Sequence, residues 1–487
     1  KGMKSEKRSK LGKGKPKGDG EDEGGATGKE RKKRKGHGRN GHEEFTGALR
    51  LRVPHPSLRP GDSCPCCHQG RVYPLAEPRR SFRFFGQAPI MAEIAECEAY
   101  RCNGCQEIFT AEPPPGFEKK YDESAGSTIA TKKYGFGFPF FRLERLQECL
   151  GVPFPASSQY ELVASVAVTV APAHGELLRL AANATVLNMD DAMMRVLELL
   201  RTARPDGKEE RDEEDSDDRD PERTGNFTTG IVAKIEEGRR IALFFTGWQH
   251  AGENGRDLLQ HREPGLEPPT IMFDASSRNL PKGLEIILCI CYCLVHARRN
   301  FVKLVDVFPE ECMHVIDELA LVYTVDERAK KLGLSPDERL RLHQAESKPV
   351  MDRLRTYLVN LLESKAVEPN SSLGKAIKYM TKRWEELTLF LKKPDAPLDN
   401  NLCEQALKRV VLNRKNAYFY KTMNGARVGD ILMGLIHTAV LAGANPVDYL
   451  TELQRHAEEL RADPGAWMPW NYRETLERLG EPLAVPP

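Results

Sequence analysis

Asp190 and Asp191 interrupt the apolar run ATVLNMDDAMMRVLELL, and a buried strand carries two charges only for a use or at an exposed edge. Asp274 closes the β-rich stretch PTIMFDAS 84 positions after Asp190, and Glu404 follows 130 positions later in LDNNLCEQALKR. On the residues alone, two readings of Glu404 stand open. It can pair with Lys408 along a wet helix face behind an Asn cap. Alternatively, it is the last carboxylate of a metal site whose other members lie upstream. Carboxylates are the hard oxygen ligands that Mg2+ prefers, and a pair of such ions assists attack on a phosphodiester.

A second constellation is soft. Cys64-x2-Cys67 in DSCPCCHQGRVYPL and Cys102-x2-Cys105 in EAYRCNGCQEIF are two C-x2-C turns flanked by strand-like residues. Four thiolates from two such turns form the tetrahedral shell of structural Zn2+. The pairs are 34 residues apart, more than in most zinc ribbons. Cys66 and His68 are near alternatives in the first pair, and Cys97 reads as a buried bystander. A closed four-cysteine shell is structural, so this module (51–115) is expected to dock rather than catalyse.

Gathering distant carboxylates needs a sheet and a returning helix. ATVLNMDD reads as a strand, and GNFTTGIVAKIEEGRRIALFFTGWQH as an antiparallel hairpin turning at EEGRR. AGENGRDLLQ reads as a helix, PTIMFDAS as a short strand ending in Asp274, and EIILCICYC as a further strand. This order, with acids on the first and fourth strands, is the ribonuclease H-like layout. Residues 300–396 are largely helical and read as an insertion, after which the chain returns with Glu404. The expected fold class is therefore α+β multidomain. A ribonuclease H-like α/β catalytic core (181–455) with a large helical insertion is preceded by the zinc-binding β module and a helical segment (116–180).

In that helical segment FFRLERLQECLG stops at Gly151, and QYELVASVAV follows, capped by Ser157 or Ser158. The spacing suits a DNA-binding helix-turn-helix or any αα-hairpin. Lys132, Lys133, Arg142 and Arg145 place positive charge nearby. Residues 456–487 read as a short amphipathic helix and a Trp/Pro-containing tail.

The formal charge of +1 conceals strong asymmetry. Residues 1–47 carry 15 Lys and Arg against 8 Asp and Glu, whereas residues 205–223 carry 11 acidic residues against 4 basic ones. Both stretches are too polar to bury a core. A basic arm (1–50) of this kind attracts nucleic acid through counterion release. Its basic start is not followed by an apolar run, so no secretory signal is expected. LEIILCICYCLV is too short to span a bilayer. Twelve cysteines without a secretory signal point to a reducing compartment, with some thiols on metal.

Several long motifs then converge. HARRN (296–300), DNNLCEQAL, RKNAYFYKTMNGARVGDILMGLIHTAVLAGANPVDYL, KYGFGFPFFRLERLQECLGVPFPASSQ, GNFTTGIV, FTGWQHAGEN and the cysteine pairs resemble the insertion sequence 66 family of DDE transposases, over roughly 35–455. The resemblance implies Asp190, Asp274 and Glu404 as a catalytic triad holding Mg2+ (or Mn2+). It favours Asp190 over Asp191, because the family varies the second position between Asp and Glu. It further implies cleavage and strand transfer of DNA, both element ends and target, by a homo-oligomer in the bacterial cytoplasm, nucleoid-associated, with no membrane partner. Small accessory proteins of the same element are also implied.

Arg409, Arg414 and Lys415, and Arg298 and Arg299 after the fifth strand, are expected to hold DNA phosphates. His296 reads as a packing residue or one that bonds backbone. The family usually has His before the first acidic motif and Thr after it, where this chain has Asn188 and Ala192. That departure favours, as the alternative, a zinc-containing DNA-binding protein whose site has decayed. A structure-selective nuclease is the third reading.

Overall fold

The structure, a computed structural model, describes residues 56–73, 75, 88–101, 103, 105, 108–202 and 225–480. The basic arm, the acidic stretch 205–223, Cys102 and residues 481–487 lie outside this set.

The cysteine-rich region contributes two short antiparallel strands, β1 (Ala99–Arg101) and β2 (Ile108–Thr110). Every residue of both is exposed, so neither strand buries a side chain. Helix α1 (Glu123–Ala130) follows, with the Asp122 carboxylate accepting from the Ser124 N–H at its start. A wide turn at Thr131–Gly135 leads to α2 (Phe140–Cys149), which ends at Gly151 with φ +76°.

Helix α3 (Ala156–Ala182) pairs with α2 as the expected two-helix unit, but its cap position is Pro155 rather than Ser157 or Ser158. It starts directly after Pro155 and continues for 27 residues, because apolar side chains keep recurring on one face. Val163, Val166, Val170 and Leu177 are fully buried, and the helix packs against α1 and three C-terminal helices. Its length and hydropathy match those of a bilayer-crossing helix, yet here it is a core element.

The central sheet has five strands, β3 (Val186–Met193), β4 (Phe227–Lys234), β5 (Arg240–Gly247), β6 (Thr270–Phe273) and β7 (Cys289–Tyr292). Helix α4 (Leu197–Thr202) follows β3 and α5 (Ala251–Leu259) follows β5. The strand order is β5-β4-β3-β6-β7. β4 runs antiparallel to both neighbours, whereas β3, β6 and β7 are parallel. The hairpin and the parallel strands thus lie where the sequence pattern put them.

The expected insertion is wholly helical, comprising α6 (Leu294–Val302), α7 (Pro309–Lys331), α8 (Pro336–Leu342), α9 (Lys348–Glu363), α10 (Ser372–Lys382) and α11 (Trp384–Leu387). It has its own core, with Phe301, Leu319, Met351, Leu354, Ile377 and Phe390 buried together. The chain then returns through α12 (Asn401–Ala417), α13 (Met423–Leu441), α14 (Pro446–Arg455), α15 (Ala457–Ala462) and α16 (Tyr472–Leu479).

One hydrophobic cluster runs from Ile129 and Val163 through Leu187 and Phe244 to Trp467 and Tyr472. The boundaries drawn at 180 and 455 from sequence fall inside this cluster. Residues of the helical segment and of the C-terminal region, such as Val163 and Trp467, share that cluster with the sheet.

Candidate active site

Asn188 on β3 pairs with Met272 on β6. Asp190 lies two residues beyond that pair on β3, and Asp274 lies two residues beyond it in the segment that leaves β6. Asp274 sits just past the end of β6, in a turn where Ala275 adopts φ +66°. Its Oδ1 accepts from the Ser276 N–H (2.9 Å) and from Asn279 Nδ2 (3.0 Å). The Tyr379 hydroxyl of α10 donates to the Asp274 carbonyl (3.2 Å), which ties the insertion to this end of the sheet.

Glu404 arrives on the first turn of α12, and the sheet positions that turn directly. Asn400 occupies the cap position, but its side chain is not used on its own helix. Its Nδ2 donates to the Met189 carbonyl (2.9 Å), and its Oδ1 accepts from Asn188 Nδ2 (3.1 Å). Asn188, the departure from the family pattern, is therefore half of the bracket that fastens α12 to β3. Cys403 Sγ bonds the Gly230 carbonyl (3.1 Å), and Gly230 lies opposite Asp190 on β4. A Cβ at Gly230 would stand 2.9 Å from the Leu407 side chain, so only glycine lets α12 lie this close.

The Glu404 carboxylate turns inward instead of lying along a wet face. Its Oε1 is buried, without a hydrogen-bond partner, and lies 3.8 Å from His296 Nδ1, which is likewise buried and unbonded. Burial pushes the Asp190 carboxyl up to about 7, with the charges of Asp274, Asp191 and Glu404 adding to the effect. These groups thus share one electrostatic neighbourhood.

Asp191 points the other way, and all its bonds are structural. Its Oδ1 accepts from Thr229 Oγ1 (2.6 Å), and its Oδ2 accepts from His250 Nδ1 (2.9 Å) and the Ala251 N–H (3.1 Å) at the start of α5. Geometry separates the paired aspartates into a cap for α5 and a member of the acidic cluster.

The basic residues divide. Lys133 does not face solvent: its Nζ is buried, donates to Asn413 Oδ1 (2.7 Å), and has its pKa lowered to about 8 by burial. It serves the core rather than a phosphate. Arg409 is half-buried and donates to the Gly135 carbonyl (3.1 Å), joining α12 to the turn after α1. Arg414 donates to the Met193 carbonyl (2.5 Å). Arg142 and Lys415 are exposed, whereas Lys132, Arg298 and Arg299 are half-exposed.

In the first cysteine turn the Cys64 N–H donates to the Gly70 carbonyl (2.8 Å) and the His68 N–H to the Cys64 carbonyl (2.9 Å). Backbone N–H groups of Gly70 and Gln69 lower the Cys67 thiol pKa. Cys105 is exposed, and Cys97 is only partly buried rather than a core residue.

Two features escaped the sequence reading. Cys293 and His296 open α6 beside Glu404, and their C-x2-H spacing was a usable signal. Burial pushes the Cys293 thiol up to about 11. A cleft between α5 and the loop after Asp274 is lined by His250, Arg256, Arg278 and Lys282. Its basic side chains Arg256, Arg278 and Lys282, with Glu253 among them, are scattered in sequence, so no local pattern announces the cleft.

The family model described as "Transposase IS66 family" matches residues 283–428, a span that includes Cys293, His296 and Glu404. The uncharacterized protein y4hP of Sinorhizobium fredii is 24% identical over 471 residues, covering 88% of this chain and 78% of that protein. The uncharacterized protein y4jD of the same organism is 32% identical over 182 residues, 37% of this chain and 35% of its own length. The uncharacterized protein y4qI is 27% identical over 186 residues, 37% and 33% of the two chains. The aligned region thus spans about a third of y4jD and of y4qI.

Proposed function

We propose, from the premise that residues 283–428 are an IS66-family transposase domain, that this chain is a DDE transposase acting through Asp190, Asp274 and Glu404. The reading is supported by the placement of Asp190 on β3, Asp274 just past β6 and Glu404 on the first turn of α12, and by the Asp190 carboxyl, which burial and then the charges of Asp274, Asp191 and Glu404 push upward. Like charge drawn together in a partly buried place favours a bound cation. The strand order, with β4 alone reversed, supports a ribonuclease H-like core.

The donors are hard oxygens, and Glu404 Oε1 has no hydrogen-bond partner, so the residues fit Mg2+ or Mn2+. When bound, a pair of such ions relieves charge on the scissile phosphate and supplies an oxygen nucleophile at neutral pH. The polypeptide's own part is positional. Ser276 and Asn279 hold the Asp274 carboxylate, while Asn188 and Asn400 hold the helix that presents Glu404. Arg256, Arg278 and Lys282 offer phosphate contacts beside the cluster. Water first breaks a P–O3′ bond, leaving a 3′-hydroxyl and a 5′-phosphate. That hydroxyl then attacks a target phosphate and displaces the target's own 3′-oxygen, so the second step conserves the number of phosphodiester bonds.

Zn2+ held by Cys64, Cys67, Cys102 and Cys105 would stabilise the N-terminal module. The backbone donors at Cys67 and the fully exposed β1 and β2 support this, because a unit with little core depends on a metal to fold. Joining two element ends implies a homo-oligomer acting on DNA in the cytoplasm, together with accessory proteins of the same element.

Incubating the protein with a labelled element end, a target plasmid and Mg2+ tests the reading. Joined product is expected. Binding without cutting would instead identify a decayed DNA-binding protein, and cutting without joining a nuclease. Full joining by Asp274→Ala would discard the triad.

A further inference from the structure

Beside the triad, a second set of donors converges on Glu404. Cys293 caps α6 and His296 follows within its first turn, which puts both on one side of that helix. Helix α12 delivers Glu404 to the same point. The ligand atoms of the three residues all lie within 4.8 Å of one another. His296 Nδ1 and Glu404 Oε1 are both buried and unbonded, 3.8 Å apart. The Asn400 N–H donates to Cys293 Sγ (3.3 Å), which ties the sulfur to the start of α12.

We propose that Cys293, His296 and Glu404 form a distinct site for Zn2+, and that filling it withdraws Glu404 from the hard-cation cluster. Zn2+ takes one sulfur, one imidazole nitrogen and one carboxylate oxygen at about 2.0–2.3 Å, leaving a fourth position open. Those bond lengths set ligand atoms roughly 3.3–3.8 Å apart, so closing the site moves side chains by about 1 Å or less. Mg2+ rejects thiolate and imidazole, so the two sites select different ions. Sharing one carboxylate makes their occupancy antagonistic. Zinc binding stands on its own geometry, whereas the antagonism rests on the proposed role of Glu404.

The test uses the full chain, stripped of loosely held metal and titrated with Zn2+ in competition with a chromogenic chelator. Wild type should bind one equivalent more than Cys293→Ser or the milder His296→Gln, with circular dichroism verifying that both variants fold. Asp274→Asn should keep that equivalent, and Cys67→Ser should lose only a different one. Co2+ in place of Zn2+ should give a thiolate charge-transfer band that disappears in Cys293→Ser even when Cys67 is also replaced. Equal zinc uptake by wild type and folded His296→Gln would overturn the site. Zinc should also lower joining at fixed Mg2+ at least tenfold in wild type but not lower whatever joining His296→Gln retains. Zinc that binds as expected yet leaves joining unchanged would overturn the antagonism. An absence of joining without zinc would count against the transposase reading alone, since the binding titration still decides the site.

Discussion

The sheet partly buries Asp190 and the helical insertion buries Asp326, and the two are treated in opposite ways. In the insertion, burial alone would raise the Asp326 pKa, but the His343 bond and the charges of Arg339 and Lys330 pull it well below the usual carboxylate range. Arg339 lies 2.8 Å away, Lys330 2.7 Å and His343 3.3 Å, and the other ring nitrogen of His343 meets Ser347 Oγ at 2.9 Å. In the sheet, burial raises the Asp190 pKa, and the neighbouring carboxylates push it further in the same direction. One cluster is compensated from within the polypeptide; around Asp190 the neighbouring charges are of like sign. That contrast marks Asp326 as architecture, and it supports the proposed role of Asp190 in holding a cation.

Replacing the uncompensated group should cost chemistry, and replacing the compensated one should cost stability. Asp190→Asn and Glu404→Gln are expected to lower strand joining by about 10^3-fold, the equivalent of several kcal/mol of charge stabilisation. An end-joining assay that found either variant active would erase the contrast. Asp326→Ala leaves Arg339 and His343 buried without their partner and should cost about 3–5 kcal/mol in denaturant unfolding. A change below about 1 kcal/mol would show that the insertion's charge is not internally balanced.

Gly230→Val probes how the sheet sets α12. The added atoms meet Leu407, so a loss of about 1–3 kcal/mol is expected together with a fall in joining, because Glu404 shifts with its helix. Loss of stability with joining intact would separate Glu404 from that packing.

Asp430 sharpens the comparison by being buried yet bonded. Burial pushes its carboxyl up to about 7, while its oxygens accept from the Thr246 N–H and Oγ1, both at 2.7 Å. With its folded pKa raised, its contribution is complete below about pH 4 and is lost as pH rises through about 7. Asp326, with a lowered pKa, contributes above the usual carboxylate range and loses that contribution as pH falls through it. Asp430→Asn should therefore flatten the neutral-side fall in thermal midpoint by a few °C and leave joining intact. A melting series from pH 4 to 8 checks this, and an unchanged slope would remove Asp430 as its source.

Much of this was legible beforehand. The strand at ATVLNMDD, the EEGRR hairpin, the short strand before Asp274 and the helix carrying Glu404 all lie where alternation, turn residues and breakers indicated. Helix α3 was underestimated because its first ten residues resemble any hairpin partner, and only packing against α13 and α14 reveals a core element. Lys133 reads as a surface cation in a string of letters, and its burial against Asn413 comes from a residue 280 positions away. His296 reads as packing until α12 brings Glu404 beside it.

The chain's letters by themselves determined the kinds of donor atom available and the local elements that carry them, since backbone preference and side-chain periodicity act over a few residues. Tertiary structure alone decided that Asp191 is the aspartate bonded at the start of α5. It also decided that Glu404 turns inward to a cysteine and a histidine. The energy of a charge depends on burial and on partners gathered from distant strands and helices, and no neighbour in sequence supplies that information.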